Sequence, residues 1–199
     1  MQHLSHKNLS PSFGFVALVF INYILSIILF FFIPDIDYAN IIGVLSLIYY
    51  ALTIIPTTMK ALFPNFYKQQ YIWKSLFKNR RYMGLAAFCF AWTHTALLIR
   101  SRSLNFLDFN TCIQYFTGLL STIIFTILTI TSNKESIRKL KKNWKKIHSL
   151  TYLCLLLLPW HILDKMYGHW SYITPFAVFL SITLSLLFVS RKIIEVKSN

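Results

Sequence analysis

The chain has 199 residues, 56% of them hydrophobic and only 13% charged, with 18 Phe among its 17% aromatics. That excludes an ordinary soluble domain. The formal net charge of +14 does not indicate a nucleic-acid binder either, because the basic residues fall in short blocks between apolar runs, where they set membrane topology.

A polar stretch, residues 1–12, comes first; its His3 and His6 are too few to make more than a weak metal site. Six apolar runs follow, at residues 13–33, 41–62, 84–99, 112–131, 148–163 and 172–190. Each is near the ~20 residues that a helix rising ~1.5 Å per residue needs to cross a ~30 Å hydrocarbon core. The runs are continuous rather than alternating, which argues for helices over a closed β-barrel. The first run is too long for a signal h-region, has only Lys7 before it and lacks a small-x-small cleavage site, so it reads as a retained helix. The expected fold is an all-α integral membrane protein, a six-transmembrane-helix bundle.

Orientation follows from the cations. Seventeen of the twenty Lys and Arg fall on one side: the N-terminal tail, the second-to-third loop, the fourth-to-fifth loop and the C-terminal tail. Arg100, Arg102 and Lys165 fall on the other. With an even number of spans, both termini are expected in the cytoplasm. Without a Gly/Ser linker or an internal repeat, residues 13–190 form one domain between cytoplasmic tails 1–12 and 191–199, and any soluble catalytic module comes from another chain.

Between the fourth and fifth runs lies TSNKESIRKLKKNWKKIH. Ser132 or Asn133 can cap a helix with Glu135 near its positive end, and Ile137, Leu140, Trp144 and Ile147 recur at helical spacing opposite a lysine-rich face. The pattern predicts a short interfacial helix, binding anionic lipid or docking an acidic soluble partner. Cys89, Cys112 and Cys154 fall inside predicted spans without paired spacing and read as packing residues.

Intramembrane ionisable side chains are rare and mark proton relays, ion sites, cofactor ligation or interhelical hydrogen bonds. His94 lies 13 residues beyond Arg81, ~20 Å along the third span, and His161 lies 15 beyond Lys146, ~22 Å along the fifth. Matched depth on two helices is what axial ligation of a haem iron requires. Zinc fits less well, since it prefers four ligands and no Cys, Asp or Glu is expected at that depth. His148 sits ~20 Å lower on the fifth span, so two redox centres would stack across the membrane. At ~100° per residue, the two histidines of that span point well over a right angle apart unless Pro159 bends it. A transporter or proton channel using buried histidines, or a non-catalytic assembly factor, are the rival classes.

The segments RRYMGLAAFCFAWTH (80–94), YFTGLLSTIIFTILTITS (115–132) and WKKIHSLTYLCLLLLPWH (144–161) resemble the ferric-reductase-like transmembrane haem domain. Within it, the likeness is to the haem-binding membrane subunits of periplasmic methionine sulfoxide reductase systems. The resemblance covers spans two to six and implies b-type haem, one or two, and transmembrane electron transfer. It makes His94 and His161 the ligands of the outer haem and His148 a ligand of the inner one. The eukaryotic ferric reductases and NADPH oxidases carry a second span-three histidine about four turns before the first; this chain has Arg80 and Arg81 there. Those arginines are positioned to hold haem propionates, as are Arg100, Arg102 or Lys165 on the outer side, with positive-inside placement the alternative for each. Trp92, Tyr152, Trp160 and Tyr167 would line haem edges or pack and anchor.

No glycine-rich phosphate loop occurs and the chain has five Gly in all, so flavin would come only through a partner. The expectation is an electron-transfer subunit rather than a complete enzyme, with no residue in a catalytic role, in a bacterial inner or plasma membrane. A cytoplasmic flavin reductase or quinol would donate; an outer-side reductase, metal ion or oxygen would accept.

Overall fold

The computed structural model describes residues 36–197 and scattered helical positions between 20 and 32; the N-terminal stretch with His3 and His6, much of the first apolar run and residues 198–199 lie outside the described residues. All regular structure among the described residues is helical. We number the helices α1 (Ile36–Leu62), α2 (Pro64–Gln69), α3 (Tyr71–Arg102), α4 (Phe109–Gln114), α5 (Phe116–Ile130), α6 (Lys134–Leu140), α7 (Lys142–His148), α8 (Leu150–Met166) and α9 (Thr174–Lys197).

Among the described residues, four stretches are long and apolar enough to cross a membrane: Asp37–Leu62, Tyr71–Arg102, Lys142–Met166 and Thr174–Lys197. A fifth candidate is broken, since α5 and α6 meet at 94°. The chain is an integral, multi-pass membrane protein.

Several expected boundaries shift. The third span was expected at 84–99, but α3 is 32 residues long and starts at Tyr71. The Lys and Arg of its first half are good helix formers, and hydropathy marks where a helix meets lipid rather than where it ends. The fourth run, 112–131, is not one helix. It divides at Tyr115 into α4 and the 15-residue α5; α4 begins early because Asp108 caps it, its carboxylate accepting from the Thr111 N–H at 3.0 Å. Cys112 therefore sits in this short helix rather than in a long span, donating to the Phe106 carbonyl at 3.1 Å. The sixth run continues past Ser190, so that Arg191, Lys192 and Glu195 are helical.

The helix predicted between the fourth and fifth runs is present as two pieces. Asn133 caps α6 by accepting from the Ser136 N–H at 2.7 Å, and the chain breaks at Lys141, whose φ of 47° is left-handed. Then α7 leads through Ser149 into α8.

Among the described residues, five helices close a ring. α1 packs on α3, α3 on α5, α5 on α8, α8 on α9 and α9 back on α1. All five contribute to a buried waist that includes Leu47, Tyr50, Ala87, Phe125, Leu155 and Leu184. Small residues let helices approach, as where the Ser46 hydroxyl donates to the Ala87 carbonyl at 2.8 Å. The space enclosed above and below this waist is where the ionisable side chains collect.

Candidate functional site

Two cavities lie inside the ring, one on each side of the waist. Tyr50 and Phe125 line both, their rings 5.3 Å apart, and thus form the wall between them. Tyr50 is fixed by donating its hydroxyl to the Thr151 carbonyl.

The upper cavity, about 160 Å³, is lined by His94 of α3 and His161 of α8. These helices are not neighbours in the ring, so the two imidazoles reach one space from different sides of it. His94 Nδ1 lies 2.7 Å from the Ala39 carbonyl. A carbonyl only accepts, so Nδ1 carries the proton and Nε2 keeps the lone pair. His161 Nδ1 lies 3.1 Å from Thr117 Oγ1. Each ring also rests against a glycine. A Cβ on Gly43 would stand 3.0 Å from His94 Nδ1, and one on Gly118 would stand 2.8 Å from His161 Cε1. A Cβ at Gly118 would force the imidazole to move, and one at Gly43 would require it to give by a few tenths of an ångström.

The end of this cavity away from the waist carries two cations, Arg102 and Lys165. Arg102 donates to the Tyr115 hydroxyl at 3.0 Å, and Lys165 lies over the Tyr115 ring, 4.9 Å from its centroid. Lys165 also pairs with Asp164 at 2.7 Å. Arg100, considered alongside them from sequence, does not line the cavity.

The lower cavity is larger, about 460 Å³, and brings together Arg80, Arg81 and His148. His148 is already engaged. Its Nε2 lies 3.1 Å from Thr131 Oγ1, whose hydroxyl donates to the Ile127 carbonyl at 2.7 Å. The oxygen is left to accept, so Nε2 carries the proton. The ring stacks on Trp144 at 4.1 Å, and Trp144 donates to the Thr131 carbonyl at 3.0 Å. Arg80 is positioned by the Phe77 ring, 4.9 Å away.

Among the described residues no group of three or more His, Cys, Asp or Glu could hold a metal ion. A haem iron asks less, because the porphyrin supplies four ligands and the protein only the axial ones. The upper cavity fits that demand: two imidazoles, a fixed tautomer at His94, a glycine against each ring and cations at the mouth. The lower one fits it less well, with a single imidazole whose Nε2 is occupied and guanidinium groups that have no lone pair to give.

Sequence reasoning missed Gly43, Gly118, Ala39 and Thr117, which hold the two rings, as well as Tyr50, Phe125 and Arg191. Two mid-span glycines in a chain with only five were the one available signal. Of the aromatics weighed as haem edges, Tyr152 lines the lower cavity and stacks on Phe188 at 4.4 Å. Trp92, Trp160 and Tyr167 are 53%, 66% and 86% exposed and face away from the ring interior.

Residues 42–159, more than half the chain, match the family model described as ferric reductase like transmembrane component. The chain belongs to that family. It is similar to the protein-methionine-sulfoxide reductase heme-binding subunit MsrQ of Brucella melitensis, 30% identical over 127 residues that make up 61% of this chain and 54% of the relative. It is similar also to the subunit of the same name from Yersinia enterocolitica, 29% identical over 126 residues, 58% of this chain and 59% of the relative. The chain thus spans little more than half the length of these relatives. The matched region contains His94, His148, Arg80 and Arg81, and His161 lies two residues beyond it.

Proposed function

We propose that this chain is a haem b-binding transmembrane subunit that passes electrons from a cytoplasmic or quinol donor to an acceptor on the outer side. The observation that carries the reading is the convergence of His94 and His161 on one cavity, with Nδ1 of each already occupied. His94 and His161 hold the iron through Nε2. The Ala39 carbonyl fixes the His94 tautomer and raises its basicity as a ligand, and Arg102 and Lys165 meet the propionates at the outer end. Bound haem supplies a one-electron iron couple. The Tyr50–Phe125 wall divides its cavity from the lower one.

Six spans with both termini in the cytoplasm put the lower cavity on the cytoplasmic side, since Arg80, Arg81 and the lysine-rich segment 134–146 flank it. In the two-haem form of the proposal, His148 ligates an inner haem whose propionates Arg80 and Arg81 hold. A second reading rests on the Thr131–His148–Trp144 contacts: one haem binds, and His148 latches α7 to the end of α5. The relatives named as subunits of a methionine-sulfoxide reductase support an outer-side reductase as acceptor, and a flavin reductase or quinol remains the proposed donor.

An absorption spectrum of protein purified from haem-replete cells tests the central claim. A reducible low-spin haem b signal, lost when either His94 or His161 is replaced by Ala while the polypeptide still inserts, is the expected result. Colourless protein, or a normal six-coordinate signal surviving one of the two replacements, refutes it and returns weight to a transporter or an assembly factor.

A further inference from the structure

Four cationic side chains line the lower cavity: Arg80 and Arg81 of α3, Lys145 of α7 and Arg191 of α9. Among the described residues no Asp or Glu lines it. Arg80, Arg81 and Lys145 are exposed to solvent and Arg191 alone is drawn inside; like charges gathered around one partly closed space make it a favourable place for an anion.

Arg191 is the member that topology explains least well. Cations that only fix orientation extend into headgroups and water, whereas the Arg191 side chain is 13% exposed and turned into the ring. It is also braced. Glu195, one turn further along α9, accepts from Arg191 Nε at 2.6 Å, while its other oxygen takes Lys192 at 2.8 Å. The contact uses Nε alone. Among the described residues no protein group accepts from the two terminal nitrogens, the edge with which a guanidinium grips a carboxylate or phosphate in bidentate fashion.

We propose that the lower cavity holds its redox cofactor by an anionic tail, a carboxylate or a phosphate, and that Arg191, braced by Glu195, clamps that tail from across the ring, facing Arg80 and Arg81. The inference rests on the reading of this chain as an electron carrier only in requiring that a cofactor occupy the lower cavity; it does not require that the cofactor be haem. Glu195 is a positioning residue: it satisfies Nε, so the terminal nitrogens are held toward the cavity.

The test uses the full chain with His161→Ala, purified from haem-limited cells into nanodiscs, so that added haem reports on the lower cavity alone. It is titrated with two pairs of probes that differ in the anionic tail: haem b against its dimethyl ester, and flavin mononucleotide against riboflavin. In at least one pair the anionic member should bind more tightly, and Arg191→Gln should reduce that preference by about tenfold or more, the size of one charge-assisted contact. Binding of the neutral member should be unchanged, which also shows that the variant is folded. Arg191→Lys, with charge but no fork, should give an intermediate preference. The pair that responds tells carboxylate from phosphate. A response in the flavin pair alone would remove the inner haem from the proposed function and leave the clamp standing. No preference for the anionic member in either pair, or a preference that stays at its starting value in Arg191→Gln and Arg191→Lys, overturns the clamp.

Discussion

Gly118 of α5 lies directly against His161 of α8, so close that a Cβ on the glycine would stand 2.8 Å from the imidazole Cε1. Ala is ordinarily favoured over Gly inside a helix by roughly 0.5–1 kcal/mol. Here contact decides the sign, because real Cβ atoms do not approach a neighbour so closely and the ring must turn away. Gly118→Ala should lower haem retention and broaden or shift the low-spin signal. Gly43→Ala, with its nearest contact at 3.0 Å to His94 Nδ1, should act in the same direction more weakly. Gly84→Ala is the control for the upper site alone, since Gly84 lines the lower cavity and its nearest neighbour is Thr53 Cγ2 at an ordinary 3.5 Å. A wild-type spectrum in Gly118→Ala would show that His161 does not need its present position.

His148 separates the one-haem and two-haem forms of the proposal. In the two-haem form, haem per protein falls from near two to near one in His148→Ala. In the one-haem form it stays near one, and Thr131→Val mimics His148→Ala by loosening the junction of α5 and α7, read as increased proteolysis or hydrogen exchange around residues 131–148. A stoichiometry that falls in His148→Ala while Thr131→Val leaves it untouched favours ligation.

Tyr50 carries two separable contributions to the waist. Tyr50→Phe removes the hydroxyl that donates to the Thr151 carbonyl and should cost about 0.5–1.5 kcal/mol. Tyr50→Ala removes a buried ring, 3% exposed and packed on Phe125, and should cost about 3–5 kcal/mol while joining the two cavities. Thermal unfolding in detergent reads both, and equal shifts for the two variants would mean that the ring is not part of a packed wall.

Asp108 supplies a pH dependence outside the membrane. The Thr111 backbone N–H, helped by its hydroxyl, holds the Asp108 carboxyl below its ordinary value. A carboxyl lowered in the folded state contributes stability that is present above its unfolded pKa, about 4, and lost as pH falls through the folded value. The Thr111 amide should therefore stay protected from hydrogen exchange at neutral pH and lose protection on acidification below about pH 4. Protection that is flat across that range, or already absent in wild type at neutral pH, contradicts the cap. Asp108→Ala should remove the dependence altogether.

Membrane character, helical class and family were legible because they depend on local composition and on spacing along one helix. Apolar runs near the bilayer length force helices, since lipid offers no partner for backbone polar groups, and a Ser-Asn-Lys-Glu start dictates a capped helix wherever it occurs. That His94 and His161 could reach one cavity was readable for the same reason, as a rise per residue needs no neighbour. Helix ends were less legible. The charged first half of α3 and the continuation of α9 through Arg191 and Glu195 are helical for reasons of propensity, which a hydropathy count does not see.

What a single helix cannot report is which face meets which neighbour. That Gly43 would sit against His94 and Gly118 against His161, that Ala39 would offer its carbonyl, and that His148 would spend Nε2 on Thr131 all depend on contacts between residues 17 to 55 positions apart. The sequence by itself determined the solvent in which this chain folds, its helical class and the spacing of its histidines along their helices. The closed ring of α1, α3, α5, α8 and α9 decided the rest. Only closure turns separate helix faces toward a common interior, makes Tyr50 and Phe125 a wall between two cavities, and brings Arg191 from the last helix to face Arg80 and Arg81 of the third.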